Sequence, residues 1–222
     1  MSVTSVARSL AIVPAAIALL LLSPFDASAQ LTRTPASIEG YAVFGRISLT
    51  AAESFEAIVG ESSGPILGGG IRIGLGLGGL FLDIGAWRFH AEGERAFIID
   101  NEVIGLGIPV DVKVTPIEIS GGWRFRIRKL PKLIPYAAGG LTSMRYEETS
   151  DFSTPTEDGH DTFNGYHLLG GAEYKITRWL GVAGEASWAS VPDAIGKAGV
   201  SKTFNETDLG GTSLRLKIAI GQ

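Results

Sequence analysis

Residues 115–128 read Thr-Pro-Ile-Glu-Ile-Ser-Gly-Gly-Trp-Arg-Phe-Arg-Ile-Arg. One set of alternate positions holds Ile117, Ile119, Gly121, Trp123, Phe125 and Ile127, and the other holds Glu118, Ser120, Gly122, Arg124, Arg126 and Arg128. Successive side chains of a β-strand point to opposite faces, so this stretch, if extended, has one apolar face and one charged face. A helix would scatter its arginines around the whole circumference. The length is near the roughly 9–11 residues that a tilted strand needs to cross a bilayer core.

The rest of the chain repeats the device. In the first strand, Tyr41, Val43, Gly45, Ile47 and Leu49 alternate with Ala42, Phe44, Arg46 and Ser48. A second strand (66–77) sets Leu67, Ile71, Ile73 and Leu75 against Gly68, Gly70, Arg72 and Gly74. A third (80–90) sets Leu80, Leu82, Ile84 and Ala86 against Phe81, Asp83, Gly85 and Trp87, but its far end, Trp87-Arg88-Phe89, loses the pattern. After the opening stretch come strands at 133–147, 162–177, 179–191 and 211–220. Long polar connections (50–65, 91–110, 148–161, 192–210) alternate with short ones (76–79, 129–132 and around Arg178). Regularly spaced strands with no helical pattern between them predict an all-β, eight-stranded antiparallel up-and-down transmembrane β-barrel over residues 38–222. An even strand number puts both termini at one end and all four long loops at the other. The 30 glycines suit bends and tight packing within such a sheet.

Ahead of the barrel, Arg8, the apolar run 10–22 and the small-residue site Ala27-Ser28-Ala29 predict a cleavable signal peptide over residues 1–29. Residues 30–37 are then a short periplasmic lead, and the expected location is the bacterial outer membrane. The chain has no cysteine, which excludes disulfides, a thiol nucleophile and a Cys-based metal site. A formal net charge of −4 with no basic stripe argues against a nucleic-acid partner.

Alternation alone leaves open which face is inside. A soluble lipocalin-like barrel would turn the apolar face inward. The polar face here is small, glycine-rich and of both signs, which suits a narrow interior filled by side chains. An arginine facing lipid at the midplane would cost about 2–4 kcal/mol. The expected lumenal charge network is Arg46, Arg72, Asp83, Glu118, Arg124, Arg126, Glu173, Lys175, Glu185, Arg215 and Lys217. Aromatics near strand ends (Tyr41, Trp123, Phe125, Tyr136, Tyr174, Trp179 and Trp188) are expected to form interfacial girdles.

Three segments carry a resemblance to a known family: Pro135-Tyr136-Ala137-Ala138-Gly139-Gly140-Leu141, Gly170-Gly171-Ala172-Glu173-Tyr174-Lys175 with Arg178-Trp179-Leu180, and Gly184-Glu185-Ala186. Over about residues 38–220 the chain resembles the small eight-stranded outer-membrane barrels of Gram-negative bacteria, namely the OmpA transmembrane barrel and the OmpX and OmpW groups. That resemblance implies outer-membrane lipid and lipopolysaccharide as surroundings, the barrel-insertion machinery as a partner, and a monomer. One departure is the ending Ile218-Ala219-Ile220-Gly221-Gln222, where such barrels usually end in an aromatic residue. No periplasmic peptidoglycan-binding domain is expected after the barrel.

Candidate chemistry is sparse. Gly74, Gly76 and Gly79 spell G-x-G-x-x-G, but a strand follows where a dinucleotide site needs a helix. His90, His160 and His167 lack metal-site spacing, and no His-x-Ser accompanies them. No catalytic, cofactor or metal residues are therefore assigned. Acidic loop residues (Glu92, Glu94, Asp100, Glu102, Glu147, Glu148, Asp151, Glu157, Asp158 and Asp161) suit divalent cations shared with lipid phosphates. The expected function is an outer-membrane barrel with a charged, plugged lumen serving envelope structure or surface interaction. The alternative is a narrow channel for small or hydrophobic solutes. A lipid-modifying barrel enzyme ranks below both.

Overall fold

The computed structural model describes residues 36–99, 102–149, 159–197 and 199–221. The expected signal peptide and most of the lead after it lie outside the described residues. The elements are β1 (Ser37–Leu49), α1 (Ala52–Val59), β2 (Ser63–Gly74), β3 (Leu80–Ile99), β4 (Glu102–Arg124), β5 (Leu133–Thr149), β6 (Gly159–Lys175), β7 (Leu180–Ser190), α2 (Gly199–Thr203) and β8 (Gly211–Gly221). Each strand pairs antiparallel with the next, and β1 pairs with β8 from Glu39↔Gly221 to Leu49↔Gly211, closing the barrel β1 to β8. The short turns and both ends of the barrel's chain lie at one end. The long connections lie at the other.

The second long connection differs from the sequence reading. Pairing of β2 with β3 stops at Ile66↔Phe89, and pairing of β4 with β5 starts at Asp111↔Thr149. Between those limits β3 and β4 continue together as a two-stranded ribbon to Ile99↔Glu102, with a register shift between Glu94 and Ala96. Residues 91–110 are thus mostly extended hairpin. Their acidic composition hid a strand pattern in which the buried Ala91 and Val110 continue the inward faces of Phe89 and Val112.

On β1, β3, β4, β5 and β6 the face polarity changes along the strand. Through the middle of the barrel and toward the short turns, Leu82, Ile84, Ile117, Ile119, Leu141, Leu216 and Ile218 are exposed outside, while Arg72, Asp83, Glu118, Glu173, Glu185, Arg215 and Lys217 are buried inside. That arrangement suits hydrocarbon as the outer solvent. Toward the long connections the order reverses. Val43, Ile47, Leu49, Ile66, Phe89, Val112, Val114 and Met144 point inward and form one apolar core, whereas Arg46, Arg88, His90 and Arg145 are exposed outside. The broken pattern at Trp87-Arg88-Phe89 is this reversal, passing along β3.

The first connection caps the apolar core. Helix α1 drops Phe55 onto Phe89, with ring centroids 6.2 Å apart in an edge-on contact. Its N-terminus is held from another loop, because the Glu206 carboxylate accepts the N–H groups of Glu53 at 3.0 Å and Ser54 at 2.8 Å. The helix backbone passes so close to β3 that a side chain on Gly93 would strike the Ile58 carbonyl and Val59. Asp208 ties the β7–β8 connection, accepting the N–H groups of Val191 and Gly210 at 2.7 Å each and the Ser190 hydroxyl at 2.6 Å.

Phe89 is fully buried, whereas Leu141 is 72% exposed on the outer face. Phe89→Ala is expected to lower the unfolding free energy by about 3–5 kcal/mol. Leu141→Ala should cost much less, since most of its side chain faces away from the barrel. Urea titration of the refolded barrel in micelles measures both, and equal losses would contradict an apolar interior at the long-connection end.

Candidate functional site

Below the apolar core the bore is filled by charged side chains drawn from opposite walls. Glu118 on β4 meets Arg215 on β8 through two hydrogen bonds, Nη1 to Oε2 at 2.7 Å and Nη2 to Oε1 at 2.8 Å. These strands are not neighbours, so the pair crosses the lumen. Such two-pronged guanidinium–carboxylate contacts are among the stronger charge-assisted bonds. The Trp87 indole N–H donates to Glu118 Oε1 at 3.1 Å, and the Arg215 guanidinium lies 5.2 Å from the Trp87 ring centre. Glu185 receives Lys217 at 2.7 Å and the Tyr136 hydroxyl at 3.0 Å, and it lies 3.5 Å from Arg215.

A second layer sits nearer the short turns. Arg124 reaches Glu39 at 3.2 Å and Glu173 at 2.6 Å. Lys175 reaches the same two carboxylates at 2.6 Å and 2.9 Å. Arg72 donates to Asp83 at 3.0 Å and lies 3.7 Å from Glu173, with its guanidinium 4.8 Å and 4.5 Å from the ring centres of Phe81 and Tyr136. The Tyr41 hydroxyl donates to Asp83 at 2.5 Å. Among the described residues of the two layers, the cations Arg72, Arg124, Lys175, Arg215 and Lys217 face the anions Glu39, Asp83, Glu118, Glu173 and Glu185, five against five. The bore therefore carries no net formal charge.

Two arginines of the expected network lie elsewhere. Arg46 is on the outer surface, where it donates to the Ser63 hydroxyl at 2.9 Å and lies 4.0 Å from Glu61. At its height the interior is apolar, so β1 turns Val43 and Ile47 inward and Arg46 outward. Arg126 is exposed in the β4–β5 connection, because β4 ends at Arg124. Two aromatics of the expected girdle also move. Tyr41 and Tyr136 point into the bore and bond to carboxylates. Trp123 is half-buried against the β2–β3 turn, Phe125, Tyr174 and Trp179 are exposed toward the short-turn end, and Trp188 is exposed toward the other end. Trp188 meets Tyr166 edge-on at 5.7 Å, an outward aromatic that the sequence reading passed over.

Glu39 was also missed. It lies two residues before Tyr41 on the same face, so extending the first strand's alternation by one step would have found it. His167 is buried in the bore, with Ser120 Oγ on its Nε2 and Thr142 Oγ1 on its Nδ1, each at 2.7 Å. A neutral imidazole donates on one side and accepts on the other, so both nitrogens are satisfied. A hydroxyl stands where a hydrolytic triad has its carboxylate. His160 has no described side chain.

On the outer surface, His90, Glu92 and Asp111 bring potential ligand atoms within 4.8 Å of one another. Asp111 is already engaged, with His90 Nε2 at 2.7 Å and Lys113 Nζ at 3.0 Å. Burial pushes the Asp111 carboxyl up, but its hydrogen bonds to His90 and Lys113 outweigh that and hold it below the usual carboxylate range. Asp100, Asp151, Glu157 and Asp158 of the expected cation-binding loops lie outside the described residues.

Breaking one side of a buried pair leaves an uncompensated charge. Arg215→Met is expected to destabilise the barrel by about 3–5 kcal/mol. Adding Glu118→Gln should recover a large part of that loss. A double-mutant cycle from denaturant titrations measures the coupling, and strictly additive losses would mean that the two side chains do not meet.

No family model and no curated protein sequence matches the chain. Solved structures do resemble it. The outer membrane protein OprG from Pseudomonas aeruginosa aligns with TM-score 0.55 at 10% identity, covering 84% of this chain and 95% of that one. Neisserial surface protein A aligns with TM-score 0.52 at 14% identity, covering 83% and 96%. A major outer membrane protein from Thermus thermophilus aligns with TM-score 0.50 at 12% identity, covering 85% and 100%. With its closed ring of strands, its aliphatic exterior and its charge-filled bore, the chain has the fold of the small eight-stranded outer-membrane β-barrels.

Proposed function

We propose that the chain is an outer-membrane barrel with a closed lumen that serves envelope structure and presents its long connections at the cell surface. In this reading residues 1–29 direct export and are removed, and the long connections face outward. One observation supports the reading: side chains from different walls meet in the bore at three successive heights. The ion pairs of Glu39, Arg124, Glu173 and Lys175 fill the short-turn end. Glu118–Arg215 crosses the middle. The apolar core with Phe55 and Phe89 fills the other end beneath α1. An eight-stranded barrel has an interior just wide enough for side chains to fill, so no added plug is needed. A continuous water path would require desolvated charge pairs and an apolar layer to open together.

The surface role rests on how the outer end is built. The α1 cap and the Asp208-tied connection give it a packed platform, and the β3–β4 ribbon continues past both neighbouring strands with Ile104 and Leu106 exposed. Barrel interiors that conduct are wet, whereas this one is lined by apolar side chains at the outer end.

The refolded chain, shown to be folded by heat-dependent gel mobility, is expected to give no conductance steps in a planar bilayer. Discrete, reproducible steps would overturn the closed-lumen reading in favour of a narrow channel. A folded chain that stays in water and refuses lipid would overturn the membrane reading itself.

A further inference from the structure

At the short-turn end the exposed charges have one sign. Arg126, Arg128, Lys129 and Lys132 stand exposed on the β4–β5 connection, and Arg178 stands exposed on the β6–β7 connection. None of these five side chains has a hydrogen-bond or ion-pair partner among the described residues. The nearest carboxylates, Glu39 and Glu173, are buried in the bore and engaged by Arg124 and Lys175. Among the described residues no carboxylate is exposed at that end, whereas Glu53, Glu56, Glu61, Glu92 and Glu94 are exposed at the other.

The two basic connections are neighbours on the ring. Leu133 pairs with Tyr174, and the Lys175 N–H donates to the Lys132 carbonyl at 2.8 Å. Each connection is folded back on itself. The Leu130 N–H donates to the Ile127 carbonyl and the Leu133 N–H to the Leu130 carbonyl, both at 3.0 Å. The Thr177 hydroxyl accepts the N–H groups of Trp179 at 3.2 Å and Leu180 at 3.0 Å. The β2–β3 turn, residues 75–79, carries no charge, so the cations crowd one half of the mouth.

Apolar side chains stand among these cations and are themselves exposed: Phe125 and Leu130 on one connection, Ile176 and Trp179 on the other. Leu130 lies between Lys129 and Pro131, past the end of β4. A dissolved polyanion would meet the cations and leave Leu130, Ile176 and Trp179 in water. A lipid surface serves both kinds of group. Apolar and aromatic side chains enter the boundary between head groups and chains, while long basic side chains reach the phosphates. Basic clusters beside a membrane are attracted to anionic head groups over about a Debye length.

We propose that the β4–β5 connection, with Arg178 beside it, docks onto the leaflet at the short-turn end by gathering anionic phospholipids, with Leu130 and Trp179 seated at the head-group boundary. The inference rests on the reading of the chain as a membrane-spanning barrel. With the long connections facing outward, the docking leaflet is the inner one. The partner class is a diacyl lipid whose phosphodiester head group carries net negative charge, and it is held by the summed field of several cations.

The chain has no cysteine, so Leu130→Cys places a single environment-sensitive dye at the tip of the connection. The full chain, freed of its leader, is refolded into vesicles of phosphatidylcholine alone or of equal parts phosphatidylcholine and phosphatidylglycerol. Emission is expected at shorter wavelength in the phosphatidylglycerol vesicles, and molar salt should remove the difference by screening. Arg126→Gln, Arg128→Gln, Lys129→Gln and Lys132→Gln together should abolish it. Lys197→Gln with Lys202→Gln, at the other end of the barrel, should leave it intact. Polyglutamate or glycerol phosphate, present on both sides of phosphatidylcholine vesicles, should produce no shift. Equal emission in the two vesicles, a difference that survives salt or the four substitutions, its loss in the Lys197/Lys202 pair, or a shift caused by a dissolved anion would each overturn the proposal. These outcomes are read only from barrels that have inserted and show heat-dependent mobility. A chain that never inserts instead refutes the membrane reading beneath the proposal.

Discussion

The β1–β8 seam is the contact on which the rest of the molecule depends. In hydrocarbon no water is present to satisfy backbone N–H and C=O groups, so a sheet with open edges is unstable there. Pairing Glu39–Leu49 of β1 with Gly211–Gly221 of β8 removes both edges at once. Closing a sheet of only eight strands in turn fixes a narrow bore. Whatever side chains point inward must pack against those from the opposite wall, and polar ones must find partners there. Arg215 and Glu118 meet across the bore because the ring is narrow enough to bring side chains of opposite walls within hydrogen-bond reach.

That narrowness also explains why charge inside is balanced. A buried charge without a partner is strongly unfavourable, and breaking a pair costs more than the pair itself contributes. The layered network meets this demand with carboxylates that each serve more than one cation. Glu173 receives Arg124 and Lys175 and lies near Arg72, while Glu185 receives Lys217 and lies near Arg215. Tyr41, Tyr136 and Trp87 contribute both donors and ring faces, which makes them part of the network and not of the outer girdle.

The architecture was legible in the sequence because alternation in β2, β4 and β8 is nearly unbroken, with Arg72, Glu118 and Arg215 marking the inner face. The misplacements have one physical source. The sequence reading gave the whole barrel a single outer solvent, so every apolar set was assigned to lipid. In β1 the set containing Val43 and Ile47 faces inward, which reverses Arg46 and Tyr41 together. The same reversal hid the strands inside residues 91–110, where Ala91 and Val110 belong to a core that the reading did not contain. Tyr136 shows a different limit: an aromatic near a strand end reads as interfacial until its register sets it beside Glu185. Which carboxylate meets which cation depends on pairing across strands far apart in sequence, and no local pattern encodes it.

The reversal itself works as a waterline painted on the hull. On β3 the outer surface turns from Ala86 to Arg88, on β4 from Ile117 to Thr115 and Lys113, and on β5 from Leu141 through Ser143 to Arg145. Each crossing records how deep that strand rides. Read around the circumference, the set of crossings describes a draught and a list: how far the vessel sinks into the sheet of lipid, and toward which side it leans. A chain that carries its own trim marks in this way can be levelled in a bilayer from its sequence and its strand pairing together.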